Sequence, residues 1–173
     1  ADAEADADVD ADADGDRPRE NGGETCADAV GLELGAEIVG DTTGATNDYE
    51  DDCVTSDGPE VAYAFDPPAH GWLTVDLEAL PGAEDTRWDT VVYLRTDCGE
   101  GDLACNDDWD FDDDGEVNVG WSHLERCVQP GYDYRLVVDG FSPDHFGAFV
   151  LSTSFVQCEE GAVCIDGWCQ IPE

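Results

Sequence analysis

The sequence has no lysine and no methionine, and its 6 basic residues are all arginines, against 44 acidic residues and a net charge of −38. A chain this acidic is not expected to bind nucleic acid or anionic membranes, because phosphate-bearing partners require a basic surface. Cations are its natural partners. Adaptation to high salt is a second explanation, since an acidic surface stays hydrated and soluble.

Several other signals are missing. No stretch approaches the roughly 20 apolar residues of a membrane-spanning helix, and no leader peptide is visible, as expected of the processed form of a secreted protein. The CxxC spacing of zinc sites and the GxSxG and HExxH motifs of hydrolases are absent. Ser122 and His123 are adjacent, but neighbours on a strand point to opposite faces. We therefore predict no catalytic residues and no enzyme activity.

Eight cysteines form an even and dense set for a chain of this length. They predict up to four disulfides and a secreted, extracellular protein from an oxidising compartment. We expect a Cys98–Cys105 bridge across a short loop, and next a Cys26–Cys53 bridge. Three pairings remain open for the other four cysteines: Cys127, Cys158, Cys164 and Cys169.

Composition divides the chain into three regions. Residues 1–24 are an acidic Ala/Asp arm with a linker, residues 25–157 are predicted to be globular, and residues 158–173 form a small cysteine-rich tail. Segments such as EVAYAF, WLTVDL, DTVVYLR, DYRLVVDG and GAFVLSTSF are rich in β-branched and aromatic residues and are separated by turn sequences. This pattern predicts an all-β protein with an antiparallel β-sandwich.

Three parts of the globular region carry a family resemblance: GDTTGATNDYEDDC with GPEVAYAF, then WDTVVYLRTDCGEGDLACNDD, then PGYDYRLVVDGF with GAFVLS. Residues 25–157 thereby resemble the bacterial pre-peptidase C-terminal domain, in particular its cysteine-bearing variants in secreted proteins of myxobacteria-like organisms. The resemblance implies a jelly-roll-like β-sandwich, usually appended to secreted enzymes. Related collagen-binding modules hold calcium near an N-terminal linker. Asp89 and Asp107 lie within the family-like motif and are candidate metal ligands.

Carboxylates occur at strict two-residue spacing in two places. The arm begins ADAEADADVDADADGD, and the globular region contains NDDWDFDDDGE, so that each would present its carboxylates on one face if extended. Both contain DxDxDG, a calcium-loop spacing, but Asn21 and Trp121 stand where an EF-hand has glutamate. We predict several calcium ions per chain, with these candidate ligands: Asp2, Glu4, Asp6, Asp8, Asp10, Asp12, Asp14, Asp89, Asp107, Asp108, Asp110, Asp112, Asp114 and Glu116.

The alanine face of the arm suits close approach to a sheet edge, of its own domain or of the next molecule. A head-to-tail contact between molecules generates an open filament. The leading hypothesis is therefore a secreted calcium-binding structural protein that self-assembles into an extracellular filament. The alternative is a secreted carbohydrate- or protein-binding accessory module with structural calcium, which exposed tryptophans would favour.

Two further features leave choices open. The segment NDYEDD, residues 47–52, is either another calcium loop or a plain solvated loop. The tryptophans Trp72, Trp88, Trp109 and Trp121 are expected in the core, although an exposed pair would suit sugar binding. Trp168, in the small tail, has no clear place in the core.

Overall fold

The structure, a computed structural model, describes residues 21–80, 88–99, 101–108 and 120–172. Within these ranges the chain forms eleven strands and one 3-10 turn, Cys26–Asp28. The strands are β1 (Val30–Gly31), β2 (Glu37–Asp41), β3 (Val61–Phe65), β4 (Gly71–Ala79), β5 (Thr90–Arg95), β6 (Ala104–Asn106), β7 (His123–Val128), β8 (Tyr134–Gly140), β9 (Ala148–Gln157), β10 (Val163–Ile165) and β11 (Trp168–Gln170). No helix of the described residues is long and apolar enough to cross a membrane.

The described strands form a β-sandwich, as the sequence predicted. One sheet has the order β1-β3-β8-β5-β6 and the other has the order β2-β9-β4-β7. All pairs within these sheets are antiparallel except β1 with β3. Consecutive strands are often not neighbours, so the chain crosses repeatedly between the sheets, as in a jelly roll.

Alternation of apolar residues decides which faces meet. On β4, Leu73, Val75 and Leu77 point inward and are buried, while the residues between them point outward. Apolar side chains of the other sheet close the core from the opposite side, among them Val92, Leu94, Leu136 and Val138. Each fully buried aliphatic side chain contributes roughly 1.5–3 kcal/mol to folding, so this layer dominates stability.

The five-stranded sheet is buried on its outer face as well. Val91, Tyr93 and Val137 point away from the main core, and residues of the long β2–β3 loop, including Tyr49 and Val54, pack on them. This explains why every residue of β5 is buried. In an antiparallel strand with one solvated face, buried residues would alternate with exposed ones. The loop between β2 and β3 is therefore part of the folded body.

All eight cysteines are paired, as predicted, but the two specific pairings that we expected are wrong. Cys26 bonds to Cys98, and Cys53 bonds to Cys105. Cys105 lies on β6 and packs against the outer-face cluster, beneath the β2–β3 loop that carries Cys53. Cys98 lies instead in the turn after β5, from which it reaches the N-terminal 3-10 turn. Local loop length therefore did not decide the pairing.

The C-terminal tail forms a hairpin attached to the sandwich. Strands β10 and β11 pair with only Asp166 and Gly167 between them, and both of these residues have positive φ. An Asp-Gly pair is favoured in such two-residue turns, because both positions require left-handed backbone. The four cysteines whose pairing the sequence left open form the bridges Cys127–Cys164 and Cys158–Cys169. The Cys127–Cys164 bridge ties the hairpin to β7.

Candidate metal centre

Three carboxylates meet beside the β5–β6 pair. Asp89 immediately precedes β5, while Asp107 and Asp108 immediately follow β6. Because these strands are antiparallel, with Val92 opposite Asn106, the two chain segments run side by side. One oxygen from each of the three carboxylates lies within 4.8 Å of the other two. The structure thus brings together three of the residues that the sequence identified as metal ligands.

Hydrogen bonds hold the backbone of Asp89 and Asp107 and the side chain of Asp108. The carbonyl of Asp89 accepts from the Phe141 N–H at 3.0 Å, and the carbonyl of Asp107 lies 2.7 Å from the hydroxyl of Ser122. The Asp108 carboxylate accepts from the Gly120 N–H at 3.3 Å. These contacts hold the segments in place and leave the carboxylates of Asp89 and Asp107 free to face the cluster.

Two carboxylate oxygens of this cluster lack the hydrogen-bond partners that buried oxygens normally have. Oδ1 of Asp89 and Oδ1 of Asp107 are both buried, and neither has a hydrogen-bond partner in the described structure. An unsatisfied buried acceptor costs roughly 1–3 kcal/mol, and more when it is charged. A cation between these two oxygens would satisfy both of them.

The electrostatics point the same way. Burial, together with the neighbouring carboxylates of Asp89, Asp108 and Asp51, raises the pKa of Asp107 to about 6. Burial and Asp108 also raise the pKa of Asp89, while His145 acts in the opposite direction. A divalent cation would relieve this mutual repulsion, because opposite charge favours the ionised form.

The donor set fits calcium. Two oxygens bound to the same calcium ion, each 2.3–2.6 Å from it, are at most about 5.2 Å apart. The three carboxylate oxygens, all within 4.8 Å of one another, satisfy this limit. Two other groupings of acidic and cysteine side chains contain disulfide sulfurs, which are not thiolate ligands. The remaining predicted ligands lie outside the described residues: Asp2, Glu4, Asp6, Asp8, Asp10, Asp12, Asp14, Asp110, Asp112, Asp114 and Glu116.

Acidic residues of the segment 47–52 make protein contacts. The carboxylate of Asp51 accepts from the N–H groups of Cys53, Val54 and Ser56 at 2.7–2.8 Å. Asp52 and Asp102 each accept from the other's backbone N–H. These carboxylates shape and tether the loop, and Asp51 adds to the repulsion at Asp107.

Ser122 and His123 do not form a catalytic pair. The Ser122 hydroxyl is buried and lies 2.6 Å from the carbonyl of Thr90, whereas Nδ1 of His123 lies 2.5 Å from Asp76 Oδ1 in the neighbouring strand β4. The two side chains therefore point to different faces of the sheet. Sequence reasoning missed the role of Ser122 as a link between the sheets beside the carboxylate cluster, since only the fold places Asp107 and Thr90 next to it.

Comparisons with known proteins concern the fold. No family model and no curated protein matches the chain. Among solved structures, the chain is similar in fold to the pre-peptidase C-terminal domain of a collagenase from Bacillus anthracis, with a TM-score of 0.46 and 16% identity over 80% of this chain and 99% of that chain. This similarity concerns the fold alone.

Proposed function

We propose that this protein is a secreted, calcium-binding structural β-sandwich that assembles head-to-tail into an extracellular filament through its acidic N-terminal arm. The calcium part rests on one observation: Asp89, Asp107 and Asp108 converge, and two of their oxygens are buried without a hydrogen-bond partner among the described residues. Hard carboxylate oxygens favour calcium over zinc or copper. Asp110, Asp112, Asp114 and Glu116 follow directly in the sequence and are proposed to extend the site.

An open strand edge in the sandwich supports the assembly part of the proposal. Asn21, the first described residue, lines a cavity together with Val39, Gly40 and Asp41 of β2. Among the described strands, β2 lies at one edge of the four-stranded sheet. An edge strand has unpaired backbone groups that accept another strand, and alternating Ala/Asp residues would place small side chains on one face of the added strand. Calcium would neutralise the carboxylates on its other face.

Calorimetric titration tests the metal site. The wild-type protein, freed of metal by chelation, is expected to bind more than one calcium ion and to bind calcium more tightly than zinc. Asp107→Asn is expected to lose one site, whereas Glu159→Gln, a change at an exposed acidic residue of the tail, is expected to bind as the wild type does. If the wild type binds no calcium at millimolar concentration, the proposed function is wrong.

Electron microscopy tests assembly separately. The full chain is expected to form filaments with calcium, and removal of residues 1–16 is expected to leave a folded, calcium-binding monomer, since all the disulfides lie outside the arm. Polymerisation of the truncated chain, or a monomeric full-length chain at high calcium, would show that the arm is not the connector, even if the metal site is real.

A further inference from the structure

The outer face of the four-stranded sheet ends in an exposed aromatic surface. Trp72 on β4 points away from the core, because Leu73 beside it points inward and is fully buried. Trp168 of the tail stacks on Trp72, with ring centroids 4.9 Å apart and planes at 29°. Trp168 is 60% exposed, and Val156, which is paired with Trp72 on the neighbouring strand, is 65% exposed. One side of an indole is therefore fixed, while much of its remaining surface is open to solvent.

The tail holds Trp168 in this position by several bonds. The hairpin that carries it is closed by Cys158–Cys169 and tied to β7 by Cys127–Cys164. The N–H of Cys127 also donates to the carbonyl of Gly167, the residue before Trp168, at 2.9 Å. A ligand that stacks on Trp168 thus meets a pre-organised side chain, which lowers the entropy cost of binding.

Polar side chains continue along the same face. The strand register places Glu125, Thr74 and Ser154 in the row next to Trp72, and His123, Asp76 and Ser152 in the following row. Successive rows are about 6.6–6.8 Å apart. The imidazole of His123 lies between carboxylates, 2.5 Å from Asp76 and 3.7 Å from Glu125. Hydroxyl groups and carboxylates thus provide donors and acceptors beside an aromatic platform.

We propose that an uncharged polysaccharide binds along this face, with a sugar ring on Trp168 and its hydroxyl groups on the two polar rows. A sugar ring has an apolar C–H face that suits an indole, and hydroxyls that donate to carboxylates and accept from threonine and serine. Orientation by a few polar groups beside an aromatic surface is the usual design of a small-ligand site. The inference is independent of the calcium cluster, which lies beside the β5–β6 pair of the other sheet.

Charge and desolvation argue against other occupants. The face carries Asp76 and Glu125, and the chain has a net charge of −38, so sulfated or uronic-acid polymers would be repelled. An apolar protein surface would bury these carboxylates without partners, which is costly. Sugar hydroxyls avoid that cost because they form hydrogen bonds with the carboxylates as they displace water.

Native affinity electrophoresis of the full chain tests the proposal. The gels contain xylan, mannan, a mixed-linkage β-glucan or an α-glucan as neutral probes, and polygalacturonate as the anionic comparison. We expect retardation by at least one neutral polymer, with or without calcium, and none by polygalacturonate. Trp168→Ala is expected to weaken binding at least tenfold.

Phe146→Ala is the matched control. Phe146 is also an exposed aromatic residue, but it precedes β9, whereas Val156 lies near the far end of this ten-residue strand, roughly 30 Å away. This variant is expected to bind as the wild type does, and circular dichroism with thiol titration confirms that both variants are folded and oxidised. Absence of retardation by every neutral polymer, or unchanged retardation of Trp168→Ala, overturns the proposal. If Trp168→Ala alters only the sedimentation of the protein, the surface is an interface between chains instead.

Discussion

The hydroxyl of Ser56 donates a hydrogen bond to the carboxylate of Asp139, a residue 83 positions further along the chain. Both residues are buried, and Asp139 is fully shielded from solvent. The bond joins the β2–β3 loop to β8, and Asp51 supports it by accepting from the Ser56 N–H at 2.8 Å. The other Asp139 oxygen, Oδ1, has no described partner. The loop that covers the outer face is thus tethered at a carboxyl group that burial makes difficult to ionise.

The first prediction concerns the pH dependence of stability. Burial, with contributions from Glu60 and Asp51, raises the pKa of Asp139 from 3.8 to about 8, which outweighs the hydrogen bond from Ser56. Between about pH 4 and pH 8 the folded state therefore holds a proton that the unfolded state has released. The stabilising contribution of Asp139 to the free energy of unfolding is therefore fully present below pH 4. It falls by up to about 1.4 kcal/mol per pH unit as the pH rises to about 8.

Asp139→Asn is expected to remove this contribution. Urea unfolding in chelator, with the disulfides intact, should give similar stabilities for the variant and the wild type near pH 4, and a more stable variant at pH 8. Parallel pH profiles for the two proteins would show that Asp139 is ionised in the folded state across this range.

The second prediction concerns close packing at Gly40. A Cβ at this position would lie 2.2 Å from the ring of Phe149 and 2.6 Å from the hydroxyl of Tyr63. Gly40→Ala is therefore expected to destabilise the protein by about 1–3 kcal/mol through overpacking. Gly31→Ala is the control, because a Cβ there meets nothing within 4 Å. Thermal unfolding with equal losses for the two variants would contradict this account of the core.

The third prediction ranks two disulfides. The Cys26–Cys98 bridge spans 72 residues, and the Cys158–Cys169 bridge spans 11. In the chain-entropy model, the longer loop restricts the unfolded state more, by about 1.7 kcal/mol. Double serine variants should therefore differ by about this amount in the free energy of unfolding, the 26/98 variant being less stable. The reverse ranking in denaturant titrations would refute the entropic explanation.

The fourth prediction separates positioning from ligation at the metal cluster. Ser122 is not a ligand, yet its hydroxyl contacts the carbonyls of Thr90 and Asp107. Ser122→Ala is expected to lower calcium affinity about fivefold to tenfold, equivalent to the roughly 1–1.4 kcal/mol of one hydrogen bond. Ser154→Ala, at an exposed position on the opposite sheet, should leave calorimetric affinity unchanged. An unaltered affinity in Ser122→Ala would mean that the Asp107 segment does not depend on this contact.

The sequence by itself determined five strands, β3, β4, β5, β8 and β9, and the inward face of β4. Leu73, Val75 and Leu77 alternate with polar residues, and an alternating pattern has one stable solution, in which the apolar face is buried. Asp-Gly at positions 166–167 likewise specified a tight turn, because its backbone preference is local. Of the three carboxylates in the candidate metal site, the resemblance indicated Asp89 and Asp107, and the two-residue spacing of acidic residues indicated Asp108.

Only the tertiary structure decided which distant residues meet. The bridges from Cys98 and Cys105 go to Cys26 and Cys53, since β6 and the turn after β5 face different neighbours in the sandwich. The partners of Asp139 and the stack of Trp168 on Trp72 also depend on where a long loop and a C-terminal hairpin fold back. Local preferences fix the backbone within a segment, whereas contacts across about 50 or more residues arise only when burial of the two sheets sets their relative position.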